Sequence, residues 1–370
     1  MAARISYLIR NGKQPMITDI NVNKPAPIAI IEKQKYYAHG ADVGPAIRDL
    51  TQGKYILIRD FYNDGISLLK DLHRHLKRKL PNQSFQEQHD YRAEYFKLSN
   101  LVLLEIVDQK LAAKKSPSIG WLEKFYPDNN HFYLTFPQIQ GLNSAWQWYE
   151  NGISLPVLRN KMQPYYGTYF PTRFEHLILF DNWLKHYKGP KKTAIDVGVG
   201  CGVLSLQMVQ HGFQKVYGTD INPNAIVGLT EFMGTTKLSR KIELDHGHLF
   251  GKWKKQSELI VFNPPWLPVN PEFEGVDDAM YYNETLFPEF FAAAKERLSP
   301  EGKLVLIFSN LAQITKVTTE HPIETELAED NRFQLEKCYK KTVKAASTKT
   351  KRDQHWRASE EVELWVLTHN

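Results

Sequence analysis

From about Tyr165 onward the chain alternates short apolar runs with helical stretches, and this alternation restricts the possible folds more than any other feature. The runs are KTAIDVG (192–198), KVYGTDI (215–221), KIELDHG (241–247), ELIVFN (258–263), KLVLIFS (303–309), RFQLEKCYKK (332–341) and EVELWVLT (361–368), with helical candidates between most of them. Strands that alternate with helices pair in parallel through crossovers, so the pattern predicts an α/β fold with a doubly wound, mostly parallel seven-stranded sheet. Only a basic loop joins the last two runs. They are expected to form a C-terminal antiparallel hairpin that closes the sheet.

The N-terminal part differs, and the boundary is set at 1–160 and 165–370. KYILIRDF (54–61) reads as a strand, followed by a helix with Leu69, Leu72, Leu76 and Leu80 at helical spacing and Pro81 as its stop. A second helix is expected from about Tyr91 to Lys114, and a strand at HFYLTFPQI (131–139). Together these predict a mixed α+β domain, to which substrate recognition is assigned. Trp146, Trp148 and Tyr149 read as core or a domain interface. His73 and His75 lie two apart, do not share a helix face and are not a metal pair.

Composition narrows the function classes. Of 370 residues, 42% are hydrophobic, enough for a sizeable core. The two cysteines, Cys201 and Cys338, exclude a disulfide framework and suit a reducing compartment. No apolar run reaches membrane-spanning length; LVLLEIV (101–107) is too short and is broken by Glu105. The N-terminus lacks the apolar core of a secretory signal. A cytoplasmic protein without membrane or metal partners is expected, with an organellar transit peptide as the alternative because the first 16 residues hold no acid. The net charge is +6, and the stretch from Lys340 to Arg357, with seven Lys or Arg and one acid, carries an excess as large as the whole chain's. Such a segment suits a polyanion, or is a solvated surface loop.

Two motifs carry the chemistry. In AIDVGVGCGVLSLQMV, Asp196, Gly198, Gly200 and Gly202 lie between the first strand and a helix. Glycines there permit a tight turn and close approach of a ligand to the backbone. The turn sits at the carboxyl end of a strand, where open α/β sheets bind ligands. Asp220 ends the second strand and can accept hydrogen bonds from both ribose hydroxyls of a nucleoside. The dinucleotide fingerprint would place glycine at position 203, where this chain has Val203.

The second motif ends the fourth strand. Two prolines after Asn263 force the chain out of the sheet as a stiff extended segment. The Asn263 side-chain oxygen and the Pro264 carbonyl then face the cleft, with Pro265 and the flat face of Trp266 beyond. An amide or aromatic NH₂ is a poor nucleophile because its lone pair is delocalised. Two acceptors that bind its two hydrogens orient the lone pair toward an electrophile, and the planar group stacks on Trp266. A methyl on a positively charged sulfur would complete such a site without a metal.

In these motifs the sequence resembles the class I S-adenosylmethionine-dependent methyltransferases, whose Rossmann-like fold matches the expected sheet. DVGVGCG is similar to their cofactor loop, GTDINPNAI to their ribose-binding acidic segment and NPPW to the N/D-P-P-Y/F/W signature of amino-methylating members. The nearest group is the methyltransferase small domain and N5-glutamine methyltransferase type, and the resemblance covers about 165–370. It implies that Asn263, Pro264, Pro265 and Trp266 are catalytic. It also implies that Asp196, Gly198, Gly200, Gly202, Asp220, Ile221 and Asn263 bind the cofactor. YGTYFPTRFEHL (166–177) is similar to the segment before the first strand in that group, so Thr172, Arg173 and Glu175 would cover or support the pocket. The family often has an acid on the adenine amine after the third strand. Here the motif reads HGHLF, with His248 in that place and Asp245 as the alternative.

The expected function is S-adenosylmethionine-dependent N-methylation of a planar amino or amide nitrogen. The acceptor is a nucleic-acid base of RNA or DNA. The alternatives are N5-glutamine methylation of a protein, and a non-catalytic cofactor-binding scaffold, against which the intact NPPW stands.

Overall fold

The computed structural model describes residues 20–29, 34–80, 85–234, 236–269, 280–329, 331–344 and 359–370. The acid-free N-terminus and Lys349, Lys351, Arg352 and Arg357 of the basic segment lie outside the described residues. The chain divides into two compact units, Met1–Asn151 and Gly152–Asn370.

The first unit runs β1 (Lys35–Tyr37), α1 (Val43–Thr51), β2 (Ile56–Ile58), α2 (Tyr62–Lys79), α3 (Phe85–Ser99) and β3 (Val102–Val107). It continues through β4 (Lys110–Leu111), α4 (Gly120–Phe125), β5 (His131–Thr135) and α5 (Phe136–Asn151). β1, β2 and β3 pair in parallel, and β4 and β5 add to β3 antiparallel. α2 buries Leu68, Leu69, Leu72 and Leu76 on one stripe, while Lys77, Arg78 and Lys79 complement the helix dipole at its last turn. Gly65 admits the Phe136 ring: a Cβ there would lie 2.1 Å from Phe136 Cε2. The helix expected from Tyr91 to Lys114 stops at Ser99, and LVLLEIV becomes β3. Its residues 102–104 and 106 are fully buried, and an apolar run this short, broken only by Glu105, has no period that separates a strand from a helix. Trp146 and Tyr149, both half-buried, pack on the fully buried Trp121, while Trp148 is exposed.

The second unit runs α6 (Glu175–His186), β6 (Thr193–Val197), α7 (Val203–Gln210), β7 (Lys215–Asp220), α8 (Pro223–Gly234), β8 (Ile242–His246) and β9 (Ser257–Phe262). After the short pair β10 (Leu267–Pro268) and β11 (Tyr281–Tyr282) come α9 (Leu286–Arg297), β12 (Leu298–Ser309), α10 (Leu311–Ile314), α11 (Pro322–Glu329), β13 (Phe333–Thr342) and β14 (Glu361–His369). All seven runs noted in the sequence form strands of one sheet, ordered β13-β14-β12-β9-β6-β7-β8. β12, β9, β6, β7 and β8 are parallel; β14 is antiparallel to β12 and to β13, giving the expected terminal hairpin. The fold is therefore a doubly wound α/β sheet.

On one face, Ile195, Val197, Ile260, Phe262, Leu304 and Leu306 join Phe287, Phe290 and Phe291 of α9 in a single core cluster. Each fully buried side chain of this size contributes roughly 1.5–3 kcal/mol relative to exposure. The strand order reverses between β6 and β9. A crevice opens at such a switch point, at the carboxyl ends of the strands.

Candidate active site

Register brings the motifs together. Val197, the last residue of β6, lies opposite Thr219 on β7 and opposite Phe262 on β9. Gly198, Asp220 and Asn263 each follow one of these three residues, so they emerge side by side at one sheet edge.

The turn after β6 alternates left-handed glycines, with φ of +66° at Gly198, +52° at Gly200 and +86° at Gly202. Val199 N–H donates to the Thr219 carbonyl at 2.8 Å, and Gly202 N–H to the Val199 carbonyl at 2.8 Å. Gly202 caps α7, and a Cβ there would lie 2.6 Å from Leu229 Cδ1. A side chain at this position is excluded by conformation and by packing together. Asp220 locks the turn: its Oδ2 accepts from Gly200 N–H at 2.7 Å and its Oδ1 from Asn222 N–H at 2.8 Å. Each oxygen keeps a lone pair for a further donor. Burial pushes the Asp220 carboxyl up, against the pull of these backbone donors. Beside it Ile221 is 62% exposed and offers an apolar surface at the rim.

Asp196 is fully buried in β6. Its Oδ2 accepts from Ser205 Oγ at 2.6 Å, while its Oδ1 is buried with no hydrogen-bond partner. Burial pushes this carboxyl up to about 7, and the Asp220 charge adds to the shift while Ser205 opposes it. A buried carboxylate oxygen without a donor is costly to leave unmet. An ammonium group would satisfy it. The glycine turn, the orphaned Asp196 oxygen and the open lone pairs of Asp220 therefore fit a nucleoside that carries an amino acid, as S-adenosylmethionine does.

The segment before α6 lies over this turn. Asn224 Nδ2 donates to the Tyr166 carbonyl at 2.8 Å and Asn222 Nδ2 to the Gly167 carbonyl at 2.7 Å. The Tyr169 carbonyl lies 3.7 Å from where a Gly200 Cβ would stand. Thr172 is exposed. Arg173 faces the terminal hairpin: its Nη1 donates to Glu360 Oε2 at 2.6 Å. Glu175 accepts from Phe174 N–H at 3.2 Å and from Lys344 N–H at 3.4 Å. Arg173 and Glu175 thus tie this segment to Glu360 and Lys344 of the terminal hairpin.

At the second motif, Trp266 Nε1–H donates to Asn263 Oδ1 at 3.2 Å. An indole nitrogen only donates, so it can face only the oxygen of the amide and fixes which way Asn263 points. The carbonyl oxygen retains one lone pair. Trp266 is held by His176 of α6, whose ring stands perpendicular to it with centroids 5.7 Å apart. His176 is 4% exposed, and burial pushes its pKa down to about 4, so it is neutral at pH 7.

His248 lies apart from these groups in its hydrogen bonding: its exposed ring pairs with Glu289 Oε2 of α9 at 2.9 Å. Asp245 accepts from Lys252 N–H at 2.7 Å and holds the turn after β8. Ser205, Asn222, Asn224 and His176 went unnoticed as site residues in the sequence. All four lie inside the motif segments: the two asparagines flank Pro223 in GTDINPNAI, Ser205 follows the glycine turn in AIDVGVGCGVLSLQMV, and His176 is near the end of YGTYFPTRFEHL. Cys201 sits within the glycine turn, where burial pushes its thiol up to about 12, so it stays protonated. Among the described residues no cluster of His, Cys, Asp or Glu could hold a metal ion, and no helix is long and apolar enough to cross a membrane.

Residues 178–337 match the family model described as the methyltransferase small domain. A putative protein N5-glutamine methyltransferase of Methanocaldococcus jannaschii is 33% identical over 92 residues, 25% of this chain and 45% of that protein. The ribosomal RNA small subunit methyltransferase C of Alcanivorax borkumensis is 30% identical over 129 residues, 34% of this chain and 37% of that one. A tRNA1(Val) (adenine(37)-N6)-methyltransferase of Shewanella pealeana is 26% identical over 134 residues, covering 31% of this chain and 51% of that protein. The chain thus spans about half or less of the length of these relatives. Among solved structures, a ribosomal protein L11 methylase from Lactobacillus delbrueckii subsp. bulgaricus aligns over 60% of this chain and 92% of its own, at 18% identity and a TM-score of 0.40.

Proposed function

We propose, for a chain whose residues 178–337 form a methyltransferase small domain of the class I S-adenosylmethionine-dependent group, that it methylates an exocyclic amino nitrogen of a nucleic-acid base. The observation that carries this reading is Asn263 at the switch point, beside the cofactor turn, with its amide oriented by Trp266. Bound at the glycine turn, S-adenosylmethionine supplies an electrophilic methyl on a positively charged sulfur. Asp220 holds the ribose hydroxyls and Asp196 the ammonium. Asn263 Oδ1 and the Pro264 carbonyl accept the two hydrogens of the acceptor NH₂, while Trp266 stacks on its ring. As the nitrogen becomes tetrahedral its hydrogens grow more acidic, so both bonds strengthen in the transition state, where they lower the barrier. His176 keeps the indole upright and, being neutral, adds no charge near a cationic methyl donor.

The base is favoured over other acceptors by the basic segment of residues 340–357 and by the relatives named for ribosomal RNA and tRNA adenine N6. A second reading, N5-methylation of a protein glutamine, is favoured by the Methanocaldococcus relative and uses the same two acceptors on an amide NH₂. Substrate selection falls to the first unit in either reading. The test is transfer of tritiated methyl groups from S-adenosylmethionine into separated RNA, DNA and protein fractions of a cell extract, with Asn263→Ala as control. Label in a nucleic-acid fraction that the variant abolishes supports the first reading. Label confined to protein supports the second. No label in any fraction, with cofactor binding intact, removes both.

A further inference from the structure

The first unit has a carboxyl edge of its own. β1 and β2 are parallel with Tyr37 opposite Ile58, so the residues that follow them lie side by side. His39 N–H donates to Asp60 Oδ2 at 2.9 Å, and the His39 ring meets the Phe61 ring edge-on with centroids 4.9 Å apart. Around this junction three cations lie on aromatic faces. The Arg59 guanidinium is 5.2 Å from the centroid of Tyr36, whose ring is 55% exposed. The Lys114 and Lys115 ammoniums are 5.8 and 5.5 Å from the centroid of Phe61.

The backbone holds these groups in place. Lys114 N–H donates to the Asp60 carbonyl at 2.7 Å, and Tyr62 N–H to the Lys114 carbonyl at 3.0 Å. The acids nearby are engaged by the chain itself: exposed Asp42 caps α1 through Gly44 N–H, and half-buried Asp60 accepts from His39 N–H. Asp64 is buried, accepting from His39 Nδ1 at 2.9 Å and from Phe61 N–H at 3.1 Å. Among the described residues no carboxylate pairs with Arg59, Lys114 or Lys115. Unpaired cations beside an exposed aromatic plane are the two elements that bind a single strand, the first by its phosphates and the second by an unstacked base. A duplex keeps its bases stacked and cannot use the plane. An acidic peptide would use the cations but not the plane.

We propose that the carboxyl edge of β1 and β2 binds single-stranded nucleic acid, with a base stacked on Tyr36 beside the Arg59 guanidinium and phosphates on Lys114 and Lys115. The proposal rests on the reading that the acceptor is a nucleic acid, and it locates a recognition surface within the first unit.

The experiment is fluorescence anisotropy of the full chain with a labelled single-stranded oligoribonucleotide of about a dozen nucleotides, across a salt series. Tyr36→Ala is expected to weaken binding about tenfold without altering the salt slope, and Tyr36→Phe to restore it. Lys114→Ala with Lys115→Ala is expected to lower the slope by about 1.4, since each phosphate contact on a single strand adds about 0.7. A duplex of the same sequence should bind at least about ten times more weakly. All four side chains are at the surface, and equal melting temperatures would exclude misfolding. RNA binding that neither set of variants changes overturns this surface but leaves the acceptor reading standing. Competition by the duplex or by polyglutamate as strong as by the single strand also overturns it. A chain that binds no RNA at low salt, yet labels protein, overturns the acceptor reading and this inference together.

Discussion

Asp196 links the protonation of the empty fold to cofactor affinity, with opposite signs. Its carboxyl is fully buried and pushed up to about 7, from 3.8 when unfolded. A carboxyl whose folded pKa is raised adds stability below its unfolded pKa and loses it as pH rises through the folded one. For Asp196 the loss runs from about pH 4 and levels off just above pH 7, so the cofactor-free protein should gain about 1.4 kcal/mol from this group between pH 8 and pH 6. The cofactor ammonium needs the ionised form. Between pH 7.5 and pH 6 the ionised fraction falls about eightfold, and the dissociation constant of S-adenosylmethionine should rise by about the same factor. Over this window an α-amino group, with a pKa of about 7.7–8.0, stays mostly protonated. Calorimetry in two buffers of different ionisation enthalpy measures both the constant and the release of nearly one proton per cofactor at pH 6. Asp196→Asn should flatten the pH dependence of affinity and of stability. A constant affinity from pH 6 to 7.5 with no proton release would refute the assignment of the ammonium to Asp196.

Three further outcomes follow from the same geometry. Asp220→Ala removes the carboxylate proposed to hold the ribose and leaves the Gly200 and Asn222 N–H groups without their partner, so calorimetry should show S-adenosylmethionine affinity reduced at least about tenfold, the worth of one charge-assisted hydrogen bond. Trp266→Phe keeps an aromatic plane but loses the donor that orients Asn263, so single-turnover methyl transfer should slow about fivefold, as for one lost hydrogen bond, with cofactor affinity within a factor of about two. In the terminal hairpin, Glu363 is buried with His321 and Trp365 on one oxygen and Lys340 on the other. Burial works against its charge, but these three donors outweigh it and hold the carboxyl down at about 2. Its stabilising effect is present above about pH 4.5 and is lost as pH falls toward 2. Glu363→Gln should therefore lower unfolding free energy by about 3 kcal/mol in denaturant titrations at pH 7 and flatten their acid dependence.

The seven-stranded sheet was legible because its central strands β6, β9 and β12 carry continuous buried, mostly apolar runs and most strands are separated from the next by a helix or a basic loop. The same property misled at residues 101–107, where a doubly buried strand after a leucine-bearing helix reads as more of that helix. Of the site, the residues that sit on backbone exceptions were readable: left-handed glycines, an acid at a strand end, and two prolines leaving a sheet. What the sequence did not reveal depends mostly on pairs far apart in the chain. Arg173 meets Glu360 and His176 meets Trp266 only once the sheet and α6 are assembled; Asp196 meets Ser205, nine residues on, once α7 follows the glycine turn. His248 followed a positional analogy, and its ring bonds to Glu289, 41 residues away.

The most direct measurement is the identity of the methylated atom. RNA labelled by the protein is digested to nucleosides and the methylated product identified by mass spectrometry. Methyl on an exocyclic amino nitrogen, absent with Asn263→Ala, is the predicted result, because the proposed role of Asn263 and Pro264 is to bind the two hydrogens of an NH₂ group. Methyl on a ribose oxygen, a carbon or a ring nitrogen without hydrogens would contradict the role given to Asn263.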